Sequence, residues 1–121
     1  MYSFLREGEF IQLTVEEKGT LTGFISRFGD SESDQGVFLN QFLKSGKLDG
    51  TKVRFTTESV HGSWFEFEGV AVRGAGKNEN EEGYVVLRGS LTRFNSDADK
   101  KITSQARRVE FKSFPKNATS N

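Results

Sequence analysis

The sequence predicts an all-β protein, a single antiparallel up-and-down (meander) β-barrel of seven to eight strands with little or no helix. Apolar and polar residues alternate with a period of two along most of the chain, which is typical of strands that bury one face. Short loops with glycine separate the alternating segments, so neighbouring strands are expected to pair in order. Without helices to cover it, the apolar face of such a sheet has to close on itself, and local connections favour a meander barrel over a sandwich.

Seven segments carry the strand pattern, and in chain order they are 10–16, 21–28, 37–44, 53–59, 64–71, 85–92 and 103–112. The segment 37–44 also has apolar residues at helical spacing, and we interpret it as a strand that the chain enters through a bend. Loops of three residues are predicted at 17–19 and 60–62, and a two-residue turn at Asp49-Gly50. Glycines within strands, at Gly23, Gly69 and Gly89, are expected where the sheet coils tightly.

Length and composition exclude several classes of protein. The 121 residues fit one domain, predicted over 1–115 and followed by a disordered tail at 116–121. Lys+Arg and Asp+Glu are balanced at 17 each, which argues against nucleic acid or a membrane surface as a partner. With no cysteine, disulfides and thiolate chemistry are excluded. The compartment stays open: cytoplasmic, or extracytoplasmic if Met1 replaces a removed signal peptide.

The alternation also sorts the inward-facing residues between two ends of the barrel. At the end where the first strand begins they are mostly polar: Glu9, Arg27, Thr57, Ser59, Ser63, Phe65, Arg93, Thr103, Gln105 and Arg107. At the opposite end they are mostly apolar: Val15, Leu21, Val53, Ala71, Val85 and Phe111. Phe55, Phe65, Phe67 and Phe111 are expected in the core. Apolar walls with a few convergent polar groups predict a small-molecule pocket that is open at the polar end.

The predicted function is therefore binding of a small, mostly apolar ligand. The candidate ligand-binding residues are Arg27, Thr57, Ser59, Phe65, Phe67, Gln105 and Arg107. Any anionic group of the ligand would lie near Arg27 and Arg107, because guanidinium groups bind carboxylate or phosphate through two parallel hydrogen bonds. The structural alternative is that Glu9, which falls opposite Arg27, simply pairs with it.

No cofactor, metal site or catalytic residue is predicted. His61 is the one imidazole, and a residue at a hairpin tip is expected to be exposed, which disfavours a role as general base. Acidic residues alternate in the loop 29–36, where Asp30, Glu32 and Asp34 suit calcium, yet the glycine and distal glutamate of a known calcium loop are missing. An enzyme of the cyclase or isomerase type is the least favoured class.

Outward aromatic residues supply the alternative function. Phe24, Phe28, Trp64 and Phe94 fall on the outer face of the sheet. They predict either a subunit interface, as in a homodimer, or a contact with the segment 37–43 that would cover Phe24 and Phe28. In the first case the protein is a structural or interaction module with a filled barrel that oligomerises through these side chains.

The predicted architecture as a whole resembles the calycin superfamily of lipocalin-like and avidin-like up-and-down barrels. The phrase Ser45-Gly-Lys-Leu-Asp-Gly-Thr-Lys-Val-Arg-Phe55 is similar to hairpins of small bacterial barrel proteins, many of them exported. Tyr2 stands about where lipocalins place the aromatic residue of their Gly-x-Trp signature, without the Gly or the Trp, and Arg107 or Arg108 would be its partner. The resemblance implies a barrel with an internal pocket open at one end.

Overall fold

A computed structural model describes residues 1–28 and 38–114, and in it the chain forms one eight-stranded sheet. The strands follow one another in sequence order, each antiparallel to the next. They are β1 (Tyr2–Ser3), β2 (Phe10–Val15), β3 (Leu21–Phe28), β4 (Phe38–Asp49), β5 (Lys52–Thr57), β6 (Ser63–Arg73), β7 (Val85–Ser96) and β8 (Ile102–Lys112). A 3₁₀ turn at Glu17–Gly19 joins β2 to β3. The predicted all-β meander is confirmed.

The core lies on the inward face of the curled sheet. Its innermost apolar side chains are each at most 2% exposed: Ile11, Ile25, Phe55, Phe65, Phe67, Leu87, Leu91 and Phe111. All four phenylalanines predicted for the core are therefore confirmed. Burial of these large rings is the main favourable contribution to folding, at about 1.5–3 kcal/mol for each fully buried side chain.

Gly69 of β6 and Gly89 of β7 show why the sheet coils tightly. The two residues are directly paired. A Cβ on Gly69 would overlap the carbonyl oxygen of Arg88, and a Cβ on Gly89 would overlap that of Glu68. Without side chains here, the two backbones approach closely enough for the hairpin to bend around the core. The crowding expected at these two mid-strand glycines is confirmed.

The segment interpreted as a bent strand is the first half of β4. This strand runs from Phe38 to Asp49, and its pairing with β5 shifts register between Leu43 and Ser45. The strand is therefore confirmed, while the bend predicted at its entry lies outside the described residues. The observed irregularity is a β-bulge at the other end of the segment, between the residues that pair with β3 and most of those that pair with β5. The following turn begins one residue later than predicted, because Asp49 still pairs with Lys52.

The hairpin between β5 and β6 also differs in detail from the prediction. Val60 and Ser63 exchange two backbone hydrogen bonds, of 2.9 and 3.0 Å, so the loop has two residues rather than three. Both loop residues have positive φ, +52° at His61 and +76° at Gly62, as a type I′ turn requires. His61 is exposed at the tip.

The sheet curls back on itself, but its closure is partial and leaves a half-barrel. The two-residue strand β1 pairs with β2 and reaches β8 through a bridge between Tyr2 and Ser113. The amide of Phe114 donates to the carbonyl of Met1 at 2.9 Å. Because β1 is so short and β8 has eleven residues, no described strand faces β8 from Ile102 to Arg108.

This open wall changes part of the predicted lining. Thr103, Gln105 and Arg107 lie on the inward side of β8 but are exposed, because no strand in residues 1–28 or 38–114 lies across from them. Ser59 is exposed beyond the end of β5 at Thr57, and Val15 is 56% exposed at the end of β2. The predicted tail and the acidic loop residues Asp30, Glu32 and Asp34 lie outside the described residues. Within those described, no helix has the length and hydropathy to cross a membrane.

Candidate functional site

A chain of buried polar groups crosses the polar end of the barrel, beginning with Arg27 on β3 and Gln41 on β4. The guanidinium Nε of Arg27 donates to Oε1 of Gln41 at 2.8 Å. Nε2 of Gln41 in turn donates to the carbonyl oxygens of Glu58, at 2.9 Å, and of Ser63, at 2.6 Å. Arg27 is 3% exposed and Gln41 is fully buried. Gln41 therefore ties the ends of β5 and β6 to β3 and fixes the arginine in place.

The network continues across the pair β6–β7. Ser63 is paired with Asn95, and its hydroxyl donates to Oδ1 of Asn95 at 2.5 Å. Nη2 of Arg93, two residues earlier on β7, approaches the same hydroxyl at 3.4 Å. Arg93 is directly opposite Phe65 in register, so its side chain starts on the inward face. Arg27 of β3 and Arg93 of β7, two strands that are not neighbours, thus both contribute to one polar cluster on the inward face.

The ring of Phe65 is the surface on which these arginines converge. The guanidinium carbon of Arg27 lies 5.5 Å from the ring centroid, and that of Arg93 lies 5.7 Å from it. These distances are within the range of cation–π attraction. The amide of Phe65 donates to the hydroxyl of Thr57 at 3.0 Å, which anchors the strand beneath the ring. The arrangement combines two cations, an aromatic face, hydroxyls and amides.

Residues 4–9, between β1 and β2, cover part of this end. Phe4 is 8% exposed and packs against Phe65 and Phe111, with ring centroids 5.4 and 5.3 Å apart. Glu9, which is 4% exposed, accepts the amides of Arg6 at 2.8 Å and Phe28 at 2.9 Å. Its ion pair, at 3.5 Å, is with Arg6. Glu9 thus holds the covering segment, and among the described residues it does not form the alternative pair with Arg27.

The centre of the barrel below the polar end is filled. Phe67 stacks on Phe55 with centroids 5.3 Å apart and contacts Phe111 at 5.6 Å. These rings interlock across the axis, together with Leu87 and Leu91. Side chains therefore occupy the apolar axis, and the candidate site is the polar end, or polar mouth, around Phe65.

The predicted ligand-binding residues fall into three groups. Arg27, Thr57 and Phe65 are brought together at the polar mouth, and Phe67 lies in the packed centre beneath them. Gln105 is paired in register with Arg93, and Arg107 with Leu91, but both are exposed on the open wall. Ser59 is exposed in the connection between β5 and β6.

Three residues of the site were not among the predicted ligand-binding residues. Gln41 was overlooked because its segment was ambiguous, although Leu39, Gln41 and Leu43 alternate on one face of a strand. Arg93 was expected at the rim, yet its side chain folds back over Phe65. Phe4 precedes the first alternating segment and carries no periodic signal. The alternation of residues along a strand could have identified Gln41 and Arg93. The position of Phe4 depends instead on how the chain crosses the end of the barrel.

The outer face of the sheet carries a different feature, a shallow groove of about 770 Å³. Charged residues of both signs line it, among them Lys47, Lys52, Arg54, Glu68, Arg88 and Arg108. Arg54 and Glu68 are cross-strand neighbours, and Arg88 pairs with Glu110 at 2.8 Å with both side chains about half exposed. Exposed ion pairs of this kind are typical of a solvated sheet face rather than of a ligand-binding site.

The outward aromatic residues form two small groups. Trp64 and Phe94 stack with ring centroids 5.2 Å apart and an interplanar angle of 7°. Phe24 contacts Phe42 at 5.5 Å, and Phe42 is 54% exposed. Phe42 belongs to the segment expected to cover Phe24, and it does contact that ring. Its own exposed face leaves apolar surface on β4.

Comparison with known structures identifies proteins of similar fold. No protein-family model and no curated protein matches the chain. Two solved structures of avidin-type proteins are similar. A rhizavidin–biotin complex has a TM-score of 0.64 and 15% identity, and the match covers 88% of this chain and 92% of that one. Rhizavidin has a TM-score of 0.66 and 15% identity, and the match covers 91% of this chain and 78% of that one. At this identity the likeness concerns the fold alone, and the chain has a fold like that of these avidin-type barrels.

Proposed function

We propose that this protein binds a small molecule at the polar end of its barrel, through an anionic or strongly accepting group placed near Arg27 and Arg93 and an apolar part that lies against Phe65. The observation that carries the proposal is the convergence of both guanidinium groups on one buried ring. Such a surface offers charge-assisted hydrogen bonds next to an apolar face, which is the combination that small-molecule sites use.

Burial strengthens the argument for an anionic group. Arg27 is 3% exposed, and electrostatic attraction to a ligand is stronger where water is largely excluded. Glu9, the acidic residue expected to neutralise this end, is engaged by Arg6 and by two backbone amides. Among the described residues, Glu9 thus holds the covering segment, and Arg27 and Arg93 are the two cations that the proposal places beside the ligand.

The solved relatives in fold suggest the first probe. One of them is a complex of rhizavidin with biotin, a small molecule that ends in a carboxylate. We therefore select biotin and a series of straight-chain carboxylates as test ligands. The proposal itself is broader: a compact molecule with an apolar body and one anionic group.

The test is a calorimetric titration of each probe into the wild-type protein and two variants of β7. Arg93→Gln removes an inward cation, whereas Arg88→Gln removes an outward cation five residues away and serves as the matched control. We expect at least one probe to bind, and Arg93→Gln to weaken it by about tenfold or more. Arg88→Gln should leave the affinity unchanged. Equal affinities of all three proteins, or no binding of any probe, would contradict the proposal.

A second function is favoured by the filled centre of the barrel. An interaction module needs no cavity, and Phe42 presents an exposed ring beside Phe24 on the outer face. In this alternative the protein self-associates through the outward aromatic residues. Sedimentation analysis of the wild type and of Phe42→Ser distinguishes the two. A dimer that the substitution converts to a monomer supports the module, and a monomer at all concentrations excludes it.

A further inference from the structure

The exposed half of β8 has a free backbone edge, and its polarity can be worked out from the hydrogen bonds. Ser113 donates its amide to Val85 of β7, at 2.9 Å, whereas Lys112 and Phe114 donate theirs to Ser3 and Met1. Odd-numbered residues therefore face β7 and even-numbered residues face the opposite side. The β7–β8 register runs from Val86↔Lys112 to Ser96↔Ile102 without a shift, so this parity holds along the whole strand.

The free edge consequently presents the amide and carbonyl groups of Ile102, Ser104, Ala106 and Arg108. No described residue pairs with them on that side, since the contacts with residues 1–3 begin only at Lys112. Residues 102–108 are exposed in both side-chain directions. A long edge of this kind is a template for pairing with another extended segment.

The edge lacks most of the features by which natural edge strands prevent pairing with another chain. It contains no proline and, within the paired register, no bulge. The side chains nearest its middle, Ser104 and Ala106, are small and leave the backbone accessible. What it does have is charge of one sign: residues 100–109 contain Lys100, Lys101, Arg107 and Arg108 and no acidic residue.

We propose that β8 accepts an extended acidic peptide segment of a partner protein as a ninth strand along Ile102–Arg108. Backbone hydrogen bonds to the even-numbered residues would hold the segment. Its acidic side chains would lie beside Arg107 on the inward side and Arg108 on the outward side. A second copy of this chain is a poorer occupant, because pairing two β8 edges would bring together two segments that carry only positive charge.

The experiment follows backbone amide exchange by NMR while a peptide is added. The probe is an acetylated and amidated peptide of about ten residues that alternates Glu and Thr, with a Lys–Thr peptide as its control. In the free protein, the amides of Ser104, Ala106 and Arg108 should exchange quickly and those of Thr103, Gln105 and Arg107 slowly. The Glu–Thr peptide should protect the even-numbered amides, and added salt should weaken its binding.

A pair of variants at one position separates edge pairing from a general charge effect. Ala106→Pro removes an edge amide that has no partner among residues 1–28 and 38–114, so we expect the fold to persist and the affinity to fall by about tenfold or more. Ala106→Ser keeps the amide and should bind like the wild type. Even-numbered amides that the peptide leaves unprotected would overturn the proposal, as would protection that rises with protein concentration alone and so marks a second copy as the occupant.

Discussion

The centre and the polar end of the barrel are built from the same strands but stabilised in different ways. On β6, Phe67 and Ser63 face the same side four residues apart, one stacked on Phe55 and the other hydrogen-bonded to Asn95. The centre excludes water with interlocked rings, and the polar end keeps arginines, an amide and hydroxyls in fixed positions. The difference teaches that apolar packing and a fixed polar network occupy successive layers of this barrel, and our proposal assigns ligand binding to the polar layer.

The largest effect is expected in the centre. Phe67→Ala should lower the free energy of unfolding by about 3–5 kcal/mol, because it removes a fully buried ring and leaves a cavity between Phe55 and Phe111. Urea unfolding followed by circular dichroism measures the change. Phe42→Ala is the control, since a ring that is 54% exposed should contribute far less. Equal losses in the two variants would show that the centre is not the packed layer described.

A smaller effect is expected at the polar end. Thr57→Val keeps the shape of the side chain but leaves the buried amide of Phe65 without its acceptor, so we expect a loss of about 1–3 kcal/mol. Thr56→Val, on the outward face of the same strand, should change stability by less than about 0.5 kcal/mol. The pair is compared by the same unfolding measurement. A Thr57→Val protein as stable as the wild type would remove that bond from the network.

The smallest effect concerns the closed part of the wall at β1. Burial raises the pKa of Tyr2 above its ordinary value of about 10. As the pH rises above that value, the unfolded chain loses this proton before the folded one, so stability declines. Tyr2→Phe should reduce the decline above about pH 10 and leave the pH dependence near neutrality unchanged. Urea midpoints of both proteins across this range are the measurement, and parallel curves would contradict the assignment.

Much of the fold was predictable because it depends on local alternation. The strand pattern identified the meander, the four core phenylalanines and the glycines that allow β6 and β7 to coil. Closure was not predictable, because it depends on how far β1 extends along β8, and Tyr2–Ser3 is too short to show a period. For that reason Gln105 and Arg107 were placed on an enclosed wall, whereas the structure leaves them exposed.

The site was predictable in part for a similar reason. Arg27, Thr57 and Phe65 follow directly from inward-facing positions near strand ends. To predict that Gln41 belongs to the site, the register between β3 and β4 has to be known. The sequence of the segment 37–44 does not specify that register. Phe4 lies outside any strand, and its place over Phe65 results from packing of the whole chain. The position of Glu9 was predictable, but not its choice of Arg6 over Arg27.

The central claim is that the polar mouth holds a ligand, and native mass spectrometry of gently purified protein tests it most directly. The mass of the native protein is compared with that of the denatured chain, for the wild type, Arg93→Gln and Arg88→Gln. We predict an excess mass that is lost on denaturation in the wild type and Arg88→Gln and is strongly reduced in Arg93→Gln. A native mass equal to that of the bare chain, or an excess that Arg93→Gln retains in full, would contradict the claim.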